Sequence, residues 1–345
     1  MNQHKPQPFY FPSSIILVDD NPSFLENISL QLDAAKLTYE TCHHARQAIA
    51  SIEKKPAAIH SSWLKQLLHQ QEADTQQHCI IDVDISKIYS LAFDSQRFSE
   101  QSVMVVDYVM PEMDGIELCR HLNNNPIKKI LITGIDDLNL AITAFNEGII
   151  DRFIVKDDPN FLKCLIESIH EMQHLYFKSI TEIITQNLLI SHTECCLQDN
   201  PFINLWQNIF QRYHIIEYYL IDKTGSYLML DWTGRKYWLV LLSETSMEEY
   251  LIIATDHHAD EILLTALTQG THLPFFITEE DQQTPVADWQ RYLHPAHTIQ
   301  LNHQRYYYSL IDNQDLYPLP HSILSYKNHF MRKIAKMSLP TDDAK

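Results

Sequence analysis

The residues best suited to chemistry are carboxylates that follow short apolar segments. Asp19 and Asp20 follow the run IILV, and Asp107 follows VMVV and lies just before the turn sequence Met-Pro-Glu-Met-Asp-Gly. Mg2+ prefers oxygen ligands and usually takes one or two carboxylates together with waters and phosphate oxygens. The three aspartates therefore predict a Mg2+ site. The main-chain carbonyl of Val109 is a further candidate ligand, because Pro111 and the Asp-Gly pair force the chain to turn away.

Two more polar residues, Thr133 and Lys156, end apolar segments further along the chain. An oxygen of Asp107 can attack phosphorus in line, while Lys156 supplies a compact cation and Thr133 a hydroxyl for the new phosphate. Taken singly, an acidic pair is more often a solvated loop or a helix cap, and Asp-Gly a plain turn. Together the residues predict Asp107 as a phosphoacceptor. Asp82 and Asp84 are weaker candidates, because no Pro and Asp-Gly turn follows them.

The elements that must position these residues alternate between buried strands and amphipathic helices. Strands are predicted for the apolar run after Ser14 and for 38–42, 103–106, 130–132 and 152–155, with helices at about 24–36, 45–54, 116–123 and 138–146. Right-handed crossovers then give a parallel sheet that is covered on both faces. The prediction is an α/β fold with a flavodoxin-like, doubly wound, five-stranded parallel sheet. The candidate residues all fall beyond the carboxyl ends of its strands, where such sheets bind ligands.

The rest of the chain divides into segments of different character. Residues 56–100 break the alternation and predict an insertion into a first domain that covers 14–158. Residues 159–190 predict one amphipathic helix, about twice the length a compact domain needs, whose excess packs on a second copy or on the following domain. Residues 191–337 predict an α+β domain with an antiparallel meander at 215–222, 227–231 and 237–242, a strand near 306–310 and helices near 260–267 and 325–337. Residues 1–13 and 338–345 are predicted to be flexible.

The acidic pair Asp19-Asp20, the stretch DYVMPEMDG from Asp107, Thr133-Gly134 and Lys156 resemble the receiver domains of two-component response regulators. The resemblance implies that a sensor histidine kinase phosphorylates Asp107, that the acidic pair and Asp107 hold Mg2+, and that Thr133 and Lys156 bind the phosphoryl group. It also implies that Phe153 is the switch aromatic that moves together with Thr133.

Two features depart from the receiver pattern. Asp157 stands where the family usually has proline, and Asp107 lies 87 positions after Asp20, about double the usual length. The insertion accounts for that length, and it leaves the site intact because only its ends must lie close together. With the insertion, the long helix and the meander, the chain resembles the Lqs-type quorum-sensing response regulators. The expected result of phosphorylation is a homodimer or a domain rearrangement that passes the signal to the second domain, here called the output domain.

Composition limits the other functions. The net charge is -18, and residues from 178 onward carry 12 Lys and Arg against 20 Asp and Glu, so DNA binding is possible but not indicated. Six cysteines without a CxxC pair and the pairs His43-His44 and His257-His258 give little support for a zinc site. No apolar run reaches membrane-spanning length and no signal-peptide pattern opens the chain, so we expect a cytoplasmic protein without membrane association.

Three interpretations of the output domain stay open. A DNA-binding regulator lacks a helix-turn-helix pattern, and its one basic element is Lys327, Arg332, Lys333 and Lys336, which also fits a solvated helix face. A nucleotidyl-transferring or nucleotide-binding enzyme lacks a glycine-rich phosphate loop and has only Asp222, Asp231 and Asp256 as candidates. A sensory or protein-binding module uses aromatic residues that serve equally well as an ordinary core, namely Tyr218, Tyr219, Tyr227, Trp232, Tyr237 and Trp238.

Overall fold

The computed structural model describes residues 5–54, 68–71, 80–191, 196–277, 281, 283–312 and 322–337. Their strands are β1 (Phe9–Tyr10), β2 (Ser14–Val18), β3 (Tyr39–Cys42), β4 (Leu68–Gln71), β5 (Ile80–Val83), β6 (Gln101–Asp107), β7 (Lys128–Thr133), β8 (Arg152–Val155), β9 (Ile215–Leu220), β10 (Tyr227–Asp231), β11 (Lys236–Ser243), β12 (His272–Pro274), β13 (Leu293–Pro295), β14 (His297–Leu301) and β15 (Gln304–Ile311). Their α-helices are α1 (Pro22–Ala34), α2 (Ala45–Lys54), α3 (Ile85–Ser90), α4 (Gly115–His121), α5 (Leu138–Asn146), α6 (Phe161–Ser191), α7 (Asn200–Tyr213), α8 (Glu244–Asp256), α9 (Glu261–Thr268) and α10 (Tyr326–Met337).

The first domain is built on a parallel sheet with strand order β3-β2-β6-β7-β8. Helices α2, α4 and α5 contribute to the apolar core on one face, and α1 and α6 contribute to the core on the other. The central strands are buried on both sides because crossover helices cover them. The predicted doubly wound five-stranded sheet is therefore confirmed, with strand and helix bounds close to the predicted ones.

The long helix α6 joins the two domains by contributing to both cores. Its first turns bury Leu165 and Ile169 against the parallel sheet, and its later turns bury Ile180 and Ile184 in the core of the output domain. At 1.5 Å per residue its 31 residues span about 46 Å. The excess length that the sequence predicted thus packs on the output domain of the same chain.

The output domain contains an antiparallel sheet with strand order β1-β9-β10-β11-β15-β14. Strands β9, β10 and β11 are the predicted meander, and β15, α9 and α10 occupy the other predicted positions. No element was predicted for residues 200–213, which form α7 and bury Phe202, Trp206 and Ile209 at helical spacing. The α+β architecture with an antiparallel sheet is confirmed.

The N-terminal segment differs from its prediction. Residues 1–13 were predicted to be flexible, but Phe9 pairs with Tyr219 and Tyr10 with Tyr218 at the edge of the output sheet. Phe9 and Phe11 are fully buried there, because their rings fill the same core as the meander. The output domain therefore begins before the first domain does.

The predicted insertion also belongs partly to the output domain. Residues 55–67 and 72–79 lie outside the described part, and β4 pairs antiparallel with β5. From α3 onward Ile85, Ile88, Ala92 and Phe98 are members of the output core, so the insertion closes one side of that domain. The predicted tail 338–345 lies outside the described residues. In the described part of the chain no helix, α6 included, combines the length and apolarity needed to cross a bilayer.

Candidate functional site

The predicted site residues meet at the carboxyl edge of the parallel sheet. Asp19 follows β2, Asp107 ends β6, Thr133 ends β7 and Lys156 follows β8. The register pairs Asp107 with Ile132, which places Thr133 one residue beyond the acidic side chain on the adjacent strand. Parallel pairing brings these strand ends to one edge, as the alternation of elements predicted.

Three carboxylates converge at this edge. Oxygens of Asp19, Asp20 and Asp107 lie within 4.8 Å of one another, the only such group of His, Cys, Asp or Glu side chains among the described residues. Asp19 is 2% exposed and Asp107 6% exposed, whereas Asp20 is open to solvent. An all-oxygen donor set with one open side fits Mg2+, which usually keeps several waters. Val109 follows in the exposed loop, and its carbonyl is a predicted ligand.

Lys156 provides the cation that the carboxylates require. Its Nζ lies 3.0 Å from Oδ2 of Asp107 and 3.4 Å from Oδ2 of Asp19, and its backbone N–H donates to the Thr133 carbonyl at 2.9 Å. Burial raises the pKa of Asp107 above its usual 3.8, with a further upward contribution from Asp19, while Lys156 lowers it through a hydrogen bond and its charge. Lys156 thus favours the anionic form, which is the nucleophile that phosphoryl transfer needs.

The turn after β6 is shaped by close backbone approach. A Cβ at Gly115 would lie 2.3 Å from the carbonyl oxygen of Asp107, so this position excludes any side chain. The Gly115 N–H donates to the Tyr108 carbonyl at 2.9 Å, and Asp114 accepts from the N–H of Glu117 at 2.8 Å to cap α4. In the described structure Asp114 therefore serves the turn and the helix start.

The two predicted switch residues lie on neighbouring strands. The buried Thr133 hydroxyl donates to the carbonyl of Gly134 at 3.2 Å. Phe153 is half-buried and packs edge-on against Phe145 of α5, with ring centroids 6.2 Å apart. The Thr133 hydroxyl is therefore held by a local acceptor, and the Phe153 ring contacts a surface helix.

Sequence reasoning missed two residues that support the site. The Asn21 N–H donates to Oδ1 of Asp19 at 2.8 Å, and its own Oδ1 caps α1 by accepting from Ser23 and Phe24. The ring of Phe24 lies 4.5 Å from Nζ of Lys156, within cation–π distance. The Asn-Pro pair after Asp20 was a signal for the cap, whereas the contact of Phe24 depends on how α1 packs.

The other candidate residues do not gather into a second site. Asp84 caps α3 and lies 3.7 Å from Lys87, and Asp82 lies in β5, away from the parallel sheet. Asp222 and Asp231 accept backbone hydrogen bonds in the turns at opposite ends of β10, and Asp256 is exposed at the end of α8.

The aromatic and basic groups of the output domain have structural contacts. Of the six predicted aromatic residues, five are buried in the core and Trp232 is half-buried against α10. On α10, Tyr326 donates to the Lys36 carbonyl at 3.0 Å and Lys333 donates to the Tyr39 carbonyl. The basic helix therefore contacts the β3 edge of the first domain.

Comparisons with known proteins agree with this geometry. A family model described as the response regulator receiver domain matches residues 79–167, which begin inside the insertion. The structure of the Legionella pneumophila response regulator LqsR is similar over 97% of this chain and 98% of that one, with 32% identity and a TM-score of 0.75. A CheY-like receiver from Methanospirillum hungatei covers 49% of this chain and 98% of its own, with 18% identity and a TM-score of 0.32. No curated protein matches the chain.

Proposed function

The chain belongs to the response-regulator family, and from this we propose that its receiver domain accepts a phosphoryl group on Asp107 from a sensor histidine kinase. The observation that carries the proposal is the convergence of three carboxylates within 4.8 Å, with the Lys156 ammonium 3.0 Å from Asp107. An oxygen of Asp107 bonds to phosphorus while the phosphorus–nitrogen bond of the kinase's phosphohistidine breaks. Lys156 then neutralises one phosphoryl oxygen, and the Thr133 hydroxyl donates a hydrogen bond to another.

Mg2+ is the cofactor that we propose for this reaction. Asp19, Asp20, Asp107 and the main-chain carbonyl of Val109 would hold the ion, and Asp20 faces solvent. Bound there, Mg2+ would neutralise negative charge on the phosphoryl oxygens. Three carboxylates against the single ammonium of Lys156 leave an excess of negative charge, which supports a divalent cation as the missing partner.

The proposed response is a change in how two receiver domains pair. Phosphorylation adds about -1.5 to -2 charge at pH 7. Thr133 then leaves the Gly134 carbonyl to reach the phosphate, and Phe153 follows inward and leaves Phe145. Phe145 and Ile142 lie one helical turn apart on α5 and are 48% and 40% exposed, an apolar patch suited to a second copy. A reversal from 1:99 to 99:1 in favour of the dimer-competent state requires about 5.5 kcal/mol.

The wider role follows from the extent of the likeness. Similarity over 97% of the chain to an Lqs-type regulator supports the proposal that this phosphorelay serves quorum sensing in the cytoplasm. The receiver would pass its state to an output domain without a helix-turn-helix through α6, which contributes to both cores.

The test of the acceptor is phosphorylation with acetyl phosphate and Mg2+, followed by intact-mass measurement. We expect one added phosphoryl group on the native chain and none on Asp107→Asn. Asp84→Asn is the matched control, since Asp84 is a helix-capping carboxylate outside the sheet edge, and it should be labelled like the native chain. Labelling of Asp107→Asn at the native level would refute the proposal.

The dimer is tested by sedimentation with and without acetyl phosphate. Phosphorylation should strengthen self-association of the native chain, and Phe145→Ser should remove that gain without preventing phosphorylation. Leu140→Ser is the control, because Leu140 is 49% exposed but lies on another side of α5. Equal association constants for native protein and Asp107→Asn in the presence of acetyl phosphate contradict the proposed switch.

A further inference from the structure

A cavity of about 340 Å³ lies in the output domain, where the insertion meets the sheet. Ser86 and Tyr89 of α3 form one wall, and residues of β11, α8 and the segment 274–277 form the others. The volume is within the range of small-molecule sites, about 300–1,000 Å³. The receiver's own site lies at the edge of the other sheet, so this cavity is separate from phosphoryl chemistry.

Five aromatic residues contribute to the lining of this cavity. Trp238 lies 6.1 Å from Tyr89 and 5.6 Å from Phe275, and Tyr250 lies 6.0 Å from Phe276, all measured between ring centroids. Burial raises the pKa of Tyr89 to about 12, so this phenol stays neutral at physiological pH. The walls therefore supply π surface without positive charge.

One carboxylate, that of Asp222, completes the lining. Its Oδ1 accepts the N–H groups of Thr224, Gly225 and Ser226 at 2.9 to 3.0 Å, which fixes its place in the turn after β9. No ion pair among the described residues involves Asp222, and no Lys or Arg lines the cavity. Asp222 is therefore the only charged side chain among the residues that line the cavity, and its carboxylate favours a positive ligand.

We propose that this cavity binds an organic cation, an ammonium with apolar substituents, between the aromatic walls and the Asp222 carboxylate. Aromatic side chains attract a cation within about 6 Å of their ring centroids, and this attraction grows when the cation is desolvated. The Asp222 carboxylate is half-buried; burial raises its pKa, and the hydrogen bonds from Ser226, Gly225 and Thr224 lower it. A bound cation supplies a counter-charge that no described ion pair provides, and it favours the anionic form of this carboxylate. Because Tyr89 belongs to the insertion and Asp222 to the turn after β9, a bound cation contacts both.

The test compares choline with 3,3-dimethyl-1-butanol, a neutral molecule of nearly the same shape, by calorimetry and tryptophan fluorescence on the full chain. Choline should bind at least about tenfold more tightly than the alcohol. Asp222→Asn keeps an Oδ1 acceptor for the turn and should weaken choline binding by about tenfold. Asp231→Asn is the matched control, since Asp231 accepts similar hydrogen bonds in the turn after β10 but does not line the cavity; its choline affinity should equal the native value.

A second variant keeps the test decisive if Asp222→Asn does not fold. Tyr250→Leu removes a half-buried ring and should weaken choline binding more than binding of the alcohol. Equal affinities for the two ligands in the native chain, or no binding of choline at millimolar concentrations, overturn the proposal. Native-like choline affinity in folded Asp222→Asn also overturns it.

Discussion

At Gly115 the backbone geometry of the phosphoacceptor site depends on the absence of a side chain. An added methyl group would lie 2.3 Å from the carbonyl oxygen of Asp107. Because the atoms in contact belong to the backbone of both segments, neither segment can move easily to relieve the clash. We expect Gly115→Ala to lower the free energy of unfolding by about 1–3 kcal/mol and to slow labelling by acetyl phosphate, because the acceptor strand must shift. Denaturant unfolding and intact mass measure the two effects.

Gly134→Ala is the control for this prediction. A Cβ at Gly134 finds no atom within 4 Å, and this glycine is not among those with positive φ. It also lies at the same edge of the sheet, one residue after Thr133. An effect of Gly134→Ala equal to that of Gly115→Ala would show that the close approach to Asp107 is not the cause.

The site itself was largely predictable from single residues. Asp107 and Thr133 end strands of a parallel sheet, and Asp19 and Lys156 directly follow such strands, so strand assignment alone brought them together. The contact between Phe24 and Lys156 was not predictable, because it depends on the angle at which α1 packs. The distances between charged groups, such as 3.0 Å from Nζ of Lys156 to Oδ2 of Asp107, also require coordinates.

At the scale of elements, the junction between β6 and α6 contains a buried carboxyl group. Tyr176 of α6 donates its hydroxyl to Glu100, and Glu100 is a buried residue immediately before β6. Burial raises the pKa of Glu100 from 4.5 to about 7, against a smaller lowering by Tyr176. Glu100 is therefore protonated in the folded chain at pH values where the unfolded chain has already lost that proton.

The sign of the resulting pH dependence follows from this difference. Between about pH 4.5 and 7 the folded state binds more protons than the unfolded state, so the free energy of unfolding falls as pH rises. The full change is about 3 kcal/mol. Glu100→Gln keeps an acceptor for Tyr176, so it should remove this fall and be more stable than the native chain at pH 8. Denaturant unfolding between pH 4 and 8 measures it.

The exposed Glu248 on α8 provides the comparison for Glu100. Glu248→Gln, measured over the same pH range, replaces an exposed carboxylate and controls for the loss of one surface charge. A profile of Glu100→Gln that still falls between pH 4.5 and 7 as steeply as the native profile is the outcome that rules out this role for Glu100.

Secondary structure was predictable for elements long enough to show several repeats of the apolar pattern. It was not predictable for short strands whose partners lie far away in the sequence. The 31 residues of α6 carry enough repeats to be recognised, as do the strands of the parallel sheet. The two residues of β1 carry no period, and their partners are about 210 positions away. The packing of the insertion in the output core was not predictable either. Ile85, Ile88 and Phe98 are apolar and therefore expected to be buried, but the sequence does not say in which domain.

At the scale of the whole molecule, a buried ion pair connects the insertion to the output sheet. Nη2 of Arg97 lies 2.7 Å from Oε1 of Glu217 and donates also to the Leu324 carbonyl, with both charged side chains at most 2% exposed. Tyr219 donates to the same oxygen of Glu217 at 3.1 Å. Loss of one partner leaves the other charge buried and unpaired.

The coupling between Arg97 and Glu217 can be measured by a double-mutant cycle. Arg97→Met should lower the free energy of unfolding by about 3–5 kcal/mol, and adding Glu217→Met should recover much of that loss. The exposed pair Arg305 and Glu244, 3.7 Å apart, is the control, and its removal should leave the free energy of unfolding close to the native value because solvent screens both charges. Additive effects of Arg97→Met and Glu217→Met in chemical denaturation would contradict the proposed coupling.

The edge strand β1 has a consequence for how such a chain can change over generations. The polypeptide leaves the antiparallel sheet after Tyr10, builds the whole parallel sheet, and returns along α6 to the meander. A recombination event with one crossover in α6 would replace the part of the output domain that follows α6. The N-terminal segment with β1 would remain, and its aromatic residues would still match the core of the original output domain. The receiver domain and the output domain are therefore expected to be inherited as one unit. In regulators whose domains are each one continuous segment, by contrast, a domain can be exchanged by simple fusion.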